Sequence, residues 1–277
     1  MSHSDVDGTT AVGGNLDKTG PVRGGTAPAG TVPPPGAARS SDRIKVLLVS
    51  RPTGPERNTY YHPIAATVPY ACKFLLDAGF EVELVNDLER VRRADSVEGL
   101  DYFDAVVFHG RHEQADDEAV AALKRFVEGG KGLVVIHVAS ASFGPGEPQV
   151  PSPEWVDLVG SVFVSGISGH PPLAPVRIRL DRSDHPILAG IPREFVFQED
   201  ELYQRMQVSA NGPGDRLATG TTPDGHGGTA EEPVAFVLQR GQGRVFNLYP
   251  GHSVSTHRDW RFQQMITQGV EWVSGRR

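Results

Sequence analysis

The chain contains little of what marks several common classes of protein. It has one cysteine in 277 residues, which excludes an internal disulfide framework and a paired-cysteine metal site. No run of about 18 apolar residues occurs, so no membrane span is predicted. Acidic residues outnumber basic ones by 34 to 27, and the net charge of −7 argues against a nucleic-acid-binding face. The start of the chain lacks the pattern of a signal peptide, so we expect a cytoplasmic protein.

The first 42 residues have almost no large apolar side chain. They are rich in Gly, Pro, Ser, Thr and Ala, and Pro33–Gly36 resembles a linker. Such a segment cannot bury enough surface to offset the entropy lost on ordering. We therefore predict a disordered tail over residues 1–42 and one domain over residues 43–277, a size that is common for α/β folds.

Apolar periodicity predicts alternating strands and helices in that domain. Strands are predicted at Arg43–Ser50, Phe80–Val85, Asp104–His109 and Gly132–His137, and helices at Ala65–Ala78, Asp116–Glu128 and Trp260–Val273. This order is typical of a doubly wound, mostly parallel sheet. The segment Pro145–Asp200 is predicted to form loops and short strands that cover one end of the sheet. Residues 233–249 are predicted to form a hairpin.

Three apolar runs each end in a histidine. They are Phe103–His109, Gly132–His137 and Gly243–His252. Ligands of open α/β sheets bind beyond the carboxyl ends of the strands, and imidazole titrates near neutral pH. We therefore predict a cleft in which His137 and His252 face each other and transfer protons. His137 occupies the strand-to-loop junction that forms a sharp elbow in related α/β enzymes, although the glycines of the usual elbow pattern are absent.

Three acidic residues, Glu199, Asp200 and Glu201, follow the apolar run Phe195–Phe197. A run of acids usually forms a solvated patch. Because the preceding aromatic residues need burial, at least one carboxylate is predicted to point into the cleft. We assign this role to Glu201, which would orient an imidazole or share its proton.

The sequence predicts no bound metal and no cofactor. It has no His-Glu-x-x-His motif, no Walker loop and no dinucleotide fingerprint. Histidines that converge from separate strands can still bind zinc, and this alternative stays open. His62 precedes Pro63 and is ambiguous, while Cys72 lies in a predicted helix and is expected to be a buried small side chain.

Several short motifs occur in a recognisable order. They are Gly129–His137, Gly169–Pro171, Asp184–Pro192, Asp200–Tyr203 and Gly243–His252. Together they resemble the trehalose-utilisation (ThuA-like) family over roughly Ile44 to Gly275. The resemblance implies a class I glutamine amidotransferase-like fold, with a flavodoxin-like sheet between helices on both faces in three layers.

The resemblance also has implications for function. It implies that His137 takes the position of the amidotransferase nucleophilic cysteine and that His252 lies near the position of its catalytic histidine. Without that thiol the chain cannot attack glutamine. The family is linked to the metabolism of disaccharides such as trehalose through keto-sugars, so a sugar-like small molecule is the expected partner, with neither nucleic acid nor membrane.

Three functions fit these predictions. The first is a carbohydrate-processing enzyme in which His137, His252 and Glu201 carry out acid–base chemistry. In such an enzyme, the expected substrate-binding residues are His109, His170 and Tyr203, and Tyr61 and Trp155 are expected to line the site. The second is a non-catalytic sugar-binding or accessory protein acting beside an oxidoreductase. The third is a metal-dependent hydrolase or lyase that uses the histidines. A homo-oligomer is compatible with all three.

Overall fold

Short apolar strands alternate with amphipathic helices along the described part of the chain. The computed structural model describes residues 43–51, 62–93, 99–145 and 150–277, and these belong to one compact unit, Asp42–Arg277. The predicted tail over residues 1–42 and Tyr61 lie outside the described residues.

The strands of the described residues are β1 Lys45–Val49, β2 Glu81–Val85, β3 Ala105–His109, β4 Gly132–Ile136, β5 Ser161–Val162, β6 Ala174–Leu180, β7 Glu194–Asp200, β8 Gln207–Val208, β9 Asp215–Pro223, β10 Thr229–Arg240 and β11 Gly243–Leu248. The helices are α1 Ile64–Asp77, α2 Glu89–Arg92, α3 Asp117–Glu128, α4 Pro153–Val159, α5 Val254–Arg258 and α6 Trp260–Val273. Short 3₁₀ turns occur at Leu100–Tyr102, His137–Ala141 and Pro186–Leu188.

Nine strands form one mixed sheet in the order β2-β1-β3-β4-β11-β10-β9-β6-β7. The pairs from β2 to β11 are parallel, and those from β11 to β7 are antiparallel. The change occurs at the hairpin β10–β11, which the sequence predicted. Contrary to expectation, β6 and β7 do not cover one end of the sheet. They pair beyond β9 and extend the sheet at its edge.

Apolar side chains lie on both faces of the sheet because alternate residues of a strand point to opposite sides. Val46 and Leu48 of β1 join a core with Phe74 of α1 and Phe262 of α6. The other core lies on the opposite face, where side chains of β1 meet those of α3 and α4, including Phe126. Burying one such large side chain contributes about 1.5–3 kcal/mol, so each of the two cores stabilises the fold strongly.

The parallel strands β1, β3, β4 and β11 present their carboxyl ends at one edge of the sheet. The segments that leave this edge include His109, His137 and the turn Tyr249–His252. The edge is therefore the place where side chains from distant parts of the sequence meet. Among the described residues, no helix is long and apolar enough to span a bilayer.

Candidate functional site

His137 begins the 3₁₀ turn that follows β4, and its backbone is in the left-handed region with φ of 50°. This conformation costs about 1–3 kcal/mol for a non-glycine residue, so the surrounding structure must impose it. The side chain is buried, and Nδ1 donates a hydrogen bond of 2.7 Å to the carbonyl of Tyr249. Because a carbonyl can only accept, the proton of this hydrogen bond lies on Nδ1. The other ring nitrogen, Nε2, lies 3.0 Å from the Tyr203 hydroxyl.

One carboxylate lies at the centre of four imidazoles. Glu201 oxygens are 3.1 Å from His252 Nδ1, 3.4 Å from His137 Nε2, 3.4 Å from His170 Nε2 and 3.8 Å from His62 Nε2. We call these five residues the Glu201 cluster. His137 and His252 face each other edge to face, with ring centroids 5.4 Å apart. The cluster joins residues that are far apart in the sequence.

Asp200 anchors the turn that carries His252. Its buried carboxylate accepts hydrogen bonds from the backbone N–H groups of Gly251 at 3.0 Å, His252 at 3.2 Å and Glu201 at 2.8 Å. Gly251 has φ of +141° and packs so closely that an added Cβ would lie 3.3 Å from the Cβ of His137. The turn therefore requires glycine, and Asp200 fixes the position of the imidazole that follows it.

Burial and neighbouring charges shift the pKa values of the cluster in opposite directions. Burial alone would raise the pKa of Glu201, but the imidazoles of His137 and His252 outweigh it and hold that pKa well below its usual range. Burial, with the nearby His137, lowers the pKa of His62 to about 3. Burial also lowers the pKa of His252, but Glu201 more than compensates and raises it. The cluster therefore combines an ionised carboxylate with a neutral His62.

The cluster opens to solvent on the side of His170. The side chain of His170 is 36% exposed, whereas that of Glu201 is 6% exposed. Tyr203 is buried beside it and stacked on His137, and the Phe163 ring also packs against Tyr203. Burial raises the pKa of Tyr203, and the negative charges of Glu201 and Asp200 add to this effect. Tyr203 therefore stays protonated and can donate a hydrogen bond.

A second buried histidine pair supports the cluster from behind. His109 Nδ1 lies 3.2 Å from the Ser50 hydroxyl and Nε2 lies 3.3 Å from the Thr67 hydroxyl. Its ring contacts His257, whose Nε2 donates a hydrogen bond of 3.1 Å to the Gly251 carbonyl. Burial lowers the pKa of His109 to about 4, so it stays neutral. These contacts place His109 behind the cluster and not on its open side.

Comparison with known proteins identifies the family. The model of the family described as ThuA, trehalose utilisation, matches residues 45–273. The chain belongs to the ThuA family. Because the match covers residues 45–273, the whole Glu201 cluster lies within the family domain. A search of curated proteins gives no match.

Solved structures share the fold at low identity. A ThuA-like protein of Parabacteroides merdae is 20% identical, with TM-score 0.62 over 84% of this chain and 90% of that one. A ThuA-like protein of Bacteroides uniformis is 19% identical, with TM-score 0.63 over 86% and 94%. A protein of Salmonella typhimurium described as cytoplasmic is 11% identical, with TM-score 0.54 over 83% and 98%. At this identity the likeness shows the fold alone.

The structure of this ThuA-family chain brings together most of the site residues that the sequence predicted. They are His137, His252, Glu201, His170 and Tyr203. His109 instead lies behind the cluster. The expectation that Trp155 lines the site is wrong, because its ring is fully buried between Phe108 and Phe143 and its Nε1 donates to a backbone carbonyl.

Sequence reasoning missed two members of the site. His62 lies between β1 and α1, and it joins the cluster because this connection also leaves the carboxyl edge of the sheet. The same topological rule that selected the other histidines would have found it. Asp200 has no comparable signal, since nothing in the acidic run distinguishes the residue that binds backbone amides from its neighbour.

Proposed function

We propose that this ThuA-family protein is an enzyme that acts on a sugar-like, polyhydroxylated small molecule at the Glu201 cluster. The observation that carries the proposal is a single buried carboxylate within 4 Å of four imidazoles. Such a group of shifted titratable side chains at the carboxyl edge of a sheet is typical of a reaction centre.

The open side of the cluster suits hydroxyl groups. His170 and Tyr203 offer polar atoms to a ligand that enters there, and the Phe163 ring lies 4.8 Å from that of Tyr203. An aromatic ring beside several hydrogen-bonding groups matches the amphipathic surface of a sugar. The trehalose-utilisation description of the family supports the same class of substrate.

Two chemistries fit this arrangement. In the first, His137 and His252 transfer protons while Glu201 orients them, as expected for general acid–base catalysis. In the second, the protein is a metal-dependent hydrolase or lyase. A specific observation favours the second, because donor atoms of His62, His137, Glu201 and His252 all lie within 4.8 Å of one another.

A glutamine amidotransferase activity does not fit the site. That reaction needs a thiolate nucleophile, and His137 occupies the strand end after β4. Cys72 lies on α1, where it packs against the core.

Further properties belong to the same proposal. We take the parallel half of the sheet and its flanking helices as the doubly wound, flavodoxin-like, three-layer arrangement of the class I glutamine amidotransferase-like fold. We propose that the protein works in the cytoplasm on a small molecule. A second copy of the chain and an oxidoreductase are candidate partners.

The test is a panel of trehalose, other disaccharides, keto-sugars and glutamine, followed by chromatography of the products. We expect turnover of a sugar and no ammonia from glutamine. Glu201→Gln should lower turnover by about 10²–10⁴, whereas His226→Ala, on an exposed turn, should not change it. Wild-type turnover in Glu201→Gln would contradict the proposal. Sugar binding without turnover would instead support the accessory role.

A further inference from the structure

We propose that His62, His137, Glu201 and His252 bind one divalent transition-metal ion of the zinc class at the centre of the Glu201 cluster. Each residue supplies one donor atom, and these atoms lie within 4.8 Å of one another. The site itself does not depend on the identity of the substrate.

The donor atoms lie close enough together to converge on one metal ion. Zinc bonds to nitrogen and oxygen are about 2.0–2.2 Å long, so tetrahedral ligand atoms lie roughly 3.3–3.5 Å apart. Glu201 Oε1 is 3.1 Å from His252 Nδ1, while Oε2 is 3.4 Å from His137 Nε2 and 3.8 Å from His62 Nε2. Because the four donor atoms lie within 4.8 Å of one another, side-chain movements of about 1 Å would bring them into that range.

Two buried donor atoms of the cluster have no hydrogen-bond partner within the described part of the chain. One is His252 Nδ1, which lies 3.1 Å from Glu201 Oε1, and the other is Glu201 Oε2, which lies near Nε2 of His137 and of His62. Leaving a buried polar atom unpaired costs about 1–3 kcal/mol. An ion between these atoms would satisfy both, whereas a direct hydrogen bond between the two side chains would need a different orientation.

The ring orientation of His137 suits a metal ligand. Its Nδ1–H donates to the Tyr249 carbonyl at 2.7 Å, and Nε2 is the ring nitrogen that faces Glu201, at 3.4 Å. Histidine ligands of metals usually donate their other N–H to a carbonyl or carboxylate in this way. Asp200 helps to hold His252 in place in a different way, since it accepts a hydrogen bond from the backbone N–H of that residue.

The donor set selects the class of ion. Three imidazole nitrogens and one carboxylate suit zinc, cobalt, nickel or iron in the divalent state, while magnesium and calcium prefer sites made entirely of oxygen. The single negative charge of Glu201 compensates part of the charge of the ion.

An ion at this position would also favour the metal-dependent chemistry over the first of the two chemistries proposed above. It would occupy the lone pairs of His137 and His252, so proton transfer would pass to His170 on the open side. This last step rests on the proposed function, whereas the binding site does not.

The experiment titrates chelator-treated full-length protein with Zn²⁺ and Co²⁺ by calorimetry. We expect one equivalent of each to bind, and the Co²⁺ form to show visible absorption bands of a nitrogen–oxygen site. His62→Ala and Glu201→Gln should each weaken binding about 100-fold or more, while His226→Ala should bind as the wild type does. Circular dichroism of the metal-free variants checks that they fold.

Two results would overturn the inference. One is no stoichiometric uptake of Zn²⁺ or Co²⁺ by the folded wild type, which needs no variant to interpret. The other is unchanged affinity in both folded ligand variants. Sugar turnover that persists in metal-free protein would reject a catalytic role of the ion but not its binding site. Metal binding without any sugar conversion would keep the binding site and reject the proposed enzyme.

Discussion

Asp200 and Glu201 are adjacent buried carboxylates with different partners. Glu201 faces the imidazoles of the cluster, whereas Asp200 accepts three backbone N–H groups and positions the turn before His252. Burial raises the pKa of Asp200, and its contacts explain why a carboxylate is nevertheless accommodated there. The difference between the two residues is one of geometry, because successive side chains leaving a strand point in opposite directions.

The role of Asp200 predicts the effect of a nearly isosteric change. In Asp200→Asn an amide N–H₂ replaces one acceptor oxygen and faces a backbone donor. We expect the free energy of unfolding to fall by about 1–3 kcal/mol and zinc affinity to fall about 10–100-fold, measured by urea unfolding and calorimetry. Asp224→Asn is the control, since Asp224 also accepts two backbone N–H groups but lies on an exposed turn. Equal zinc affinity in Asp200→Asn and Asp224→Asn would show that Asp200 does not position the metal ligands.

His112 makes stability depend on pH without touching the cluster. It is buried against Phe108 and Phe143, and burial, with the positive charge of Arg51, lowers its pKa to about 4. Below about pH 6.5, His112 takes up a proton in the unfolded chain but stays neutral in the folded chain. The free energy of unfolding therefore decreases as the pH falls from about 6.5 to 4.

His112→Phe should remove that dependence. We expect the stability of the wild type relative to the variant to drop by roughly 2–3 kcal/mol between pH 7.5 and pH 4.5. Urea unfolding of both metal-free proteins at the two pH values measures it, and effects of ring size cancel in the double difference. A difference that is the same at both pH values would show that His112 does not titrate in this way.

The helix α6 shows which elements the sequence could predict. Its bounds agree with the predicted Trp260–Val273 because the apolar stripe that includes Phe262 and Ile266 is a local pattern. The strands β6 and β7 could not be placed in the same way. Their partners lie far along the chain, and alternation identifies a strand without naming the strand beside it.

Gly269 in α6 packs against β11. Replacing it tests whether packing or helix propensity has the larger effect on stability at this contact. An added Cβ would lie 2.5 Å from the Phe246 ring of β11. Alanine favours a helix by up to about 1 kcal/mol over glycine, but overpacking costs about 1–3 kcal/mol. We expect Gly269→Ala to destabilise the protein in denaturant unfolding. In a Phe246→Leu background the same change should cost less, and an equal cost in both backgrounds would contradict the packing argument.

The site was predictable where it follows from topology and unpredictable where it follows from the course of a loop. His137 and His252 end parallel strands, so the rule for open α/β sheets finds them. The arrival of Glu201 at the same place depends on how the chain turns back after β7, at the far edge of the sheet. No local pattern encodes that path, and only the need to bury Phe195 and Phe197 suggested it.

The composition of residues 1–41 predicts that they can be removed. They lack the large apolar side chains that would anchor them. We expect a chain starting at Asp42 to keep the melting temperature of the full chain to within about two degrees, measured by circular dichroism. A decrease of more than a few degrees would show that the segment stabilises the domain.

The proposed metal site would connect parts of the fold that are distant in sequence, from His62 before α1 to His252 after β11. An ion that binds only the folded state stabilises the whole cooperative unit, by about 2.7 kcal/mol when it is present at 100 times its dissociation constant. For a domain of this size each kcal/mol raises the melting temperature by about 2–4 °C. We therefore expect chelation to lower it by roughly 5–10 °C, measured by calorimetry with Zn²⁺ and then with excess chelator. Glu201→Gln should melt at the same temperature in both conditions, because it lacks the central ligand. If the melting temperature of the wild type is also unchanged by chelator, the histidines hold no ion that stabilises the fold.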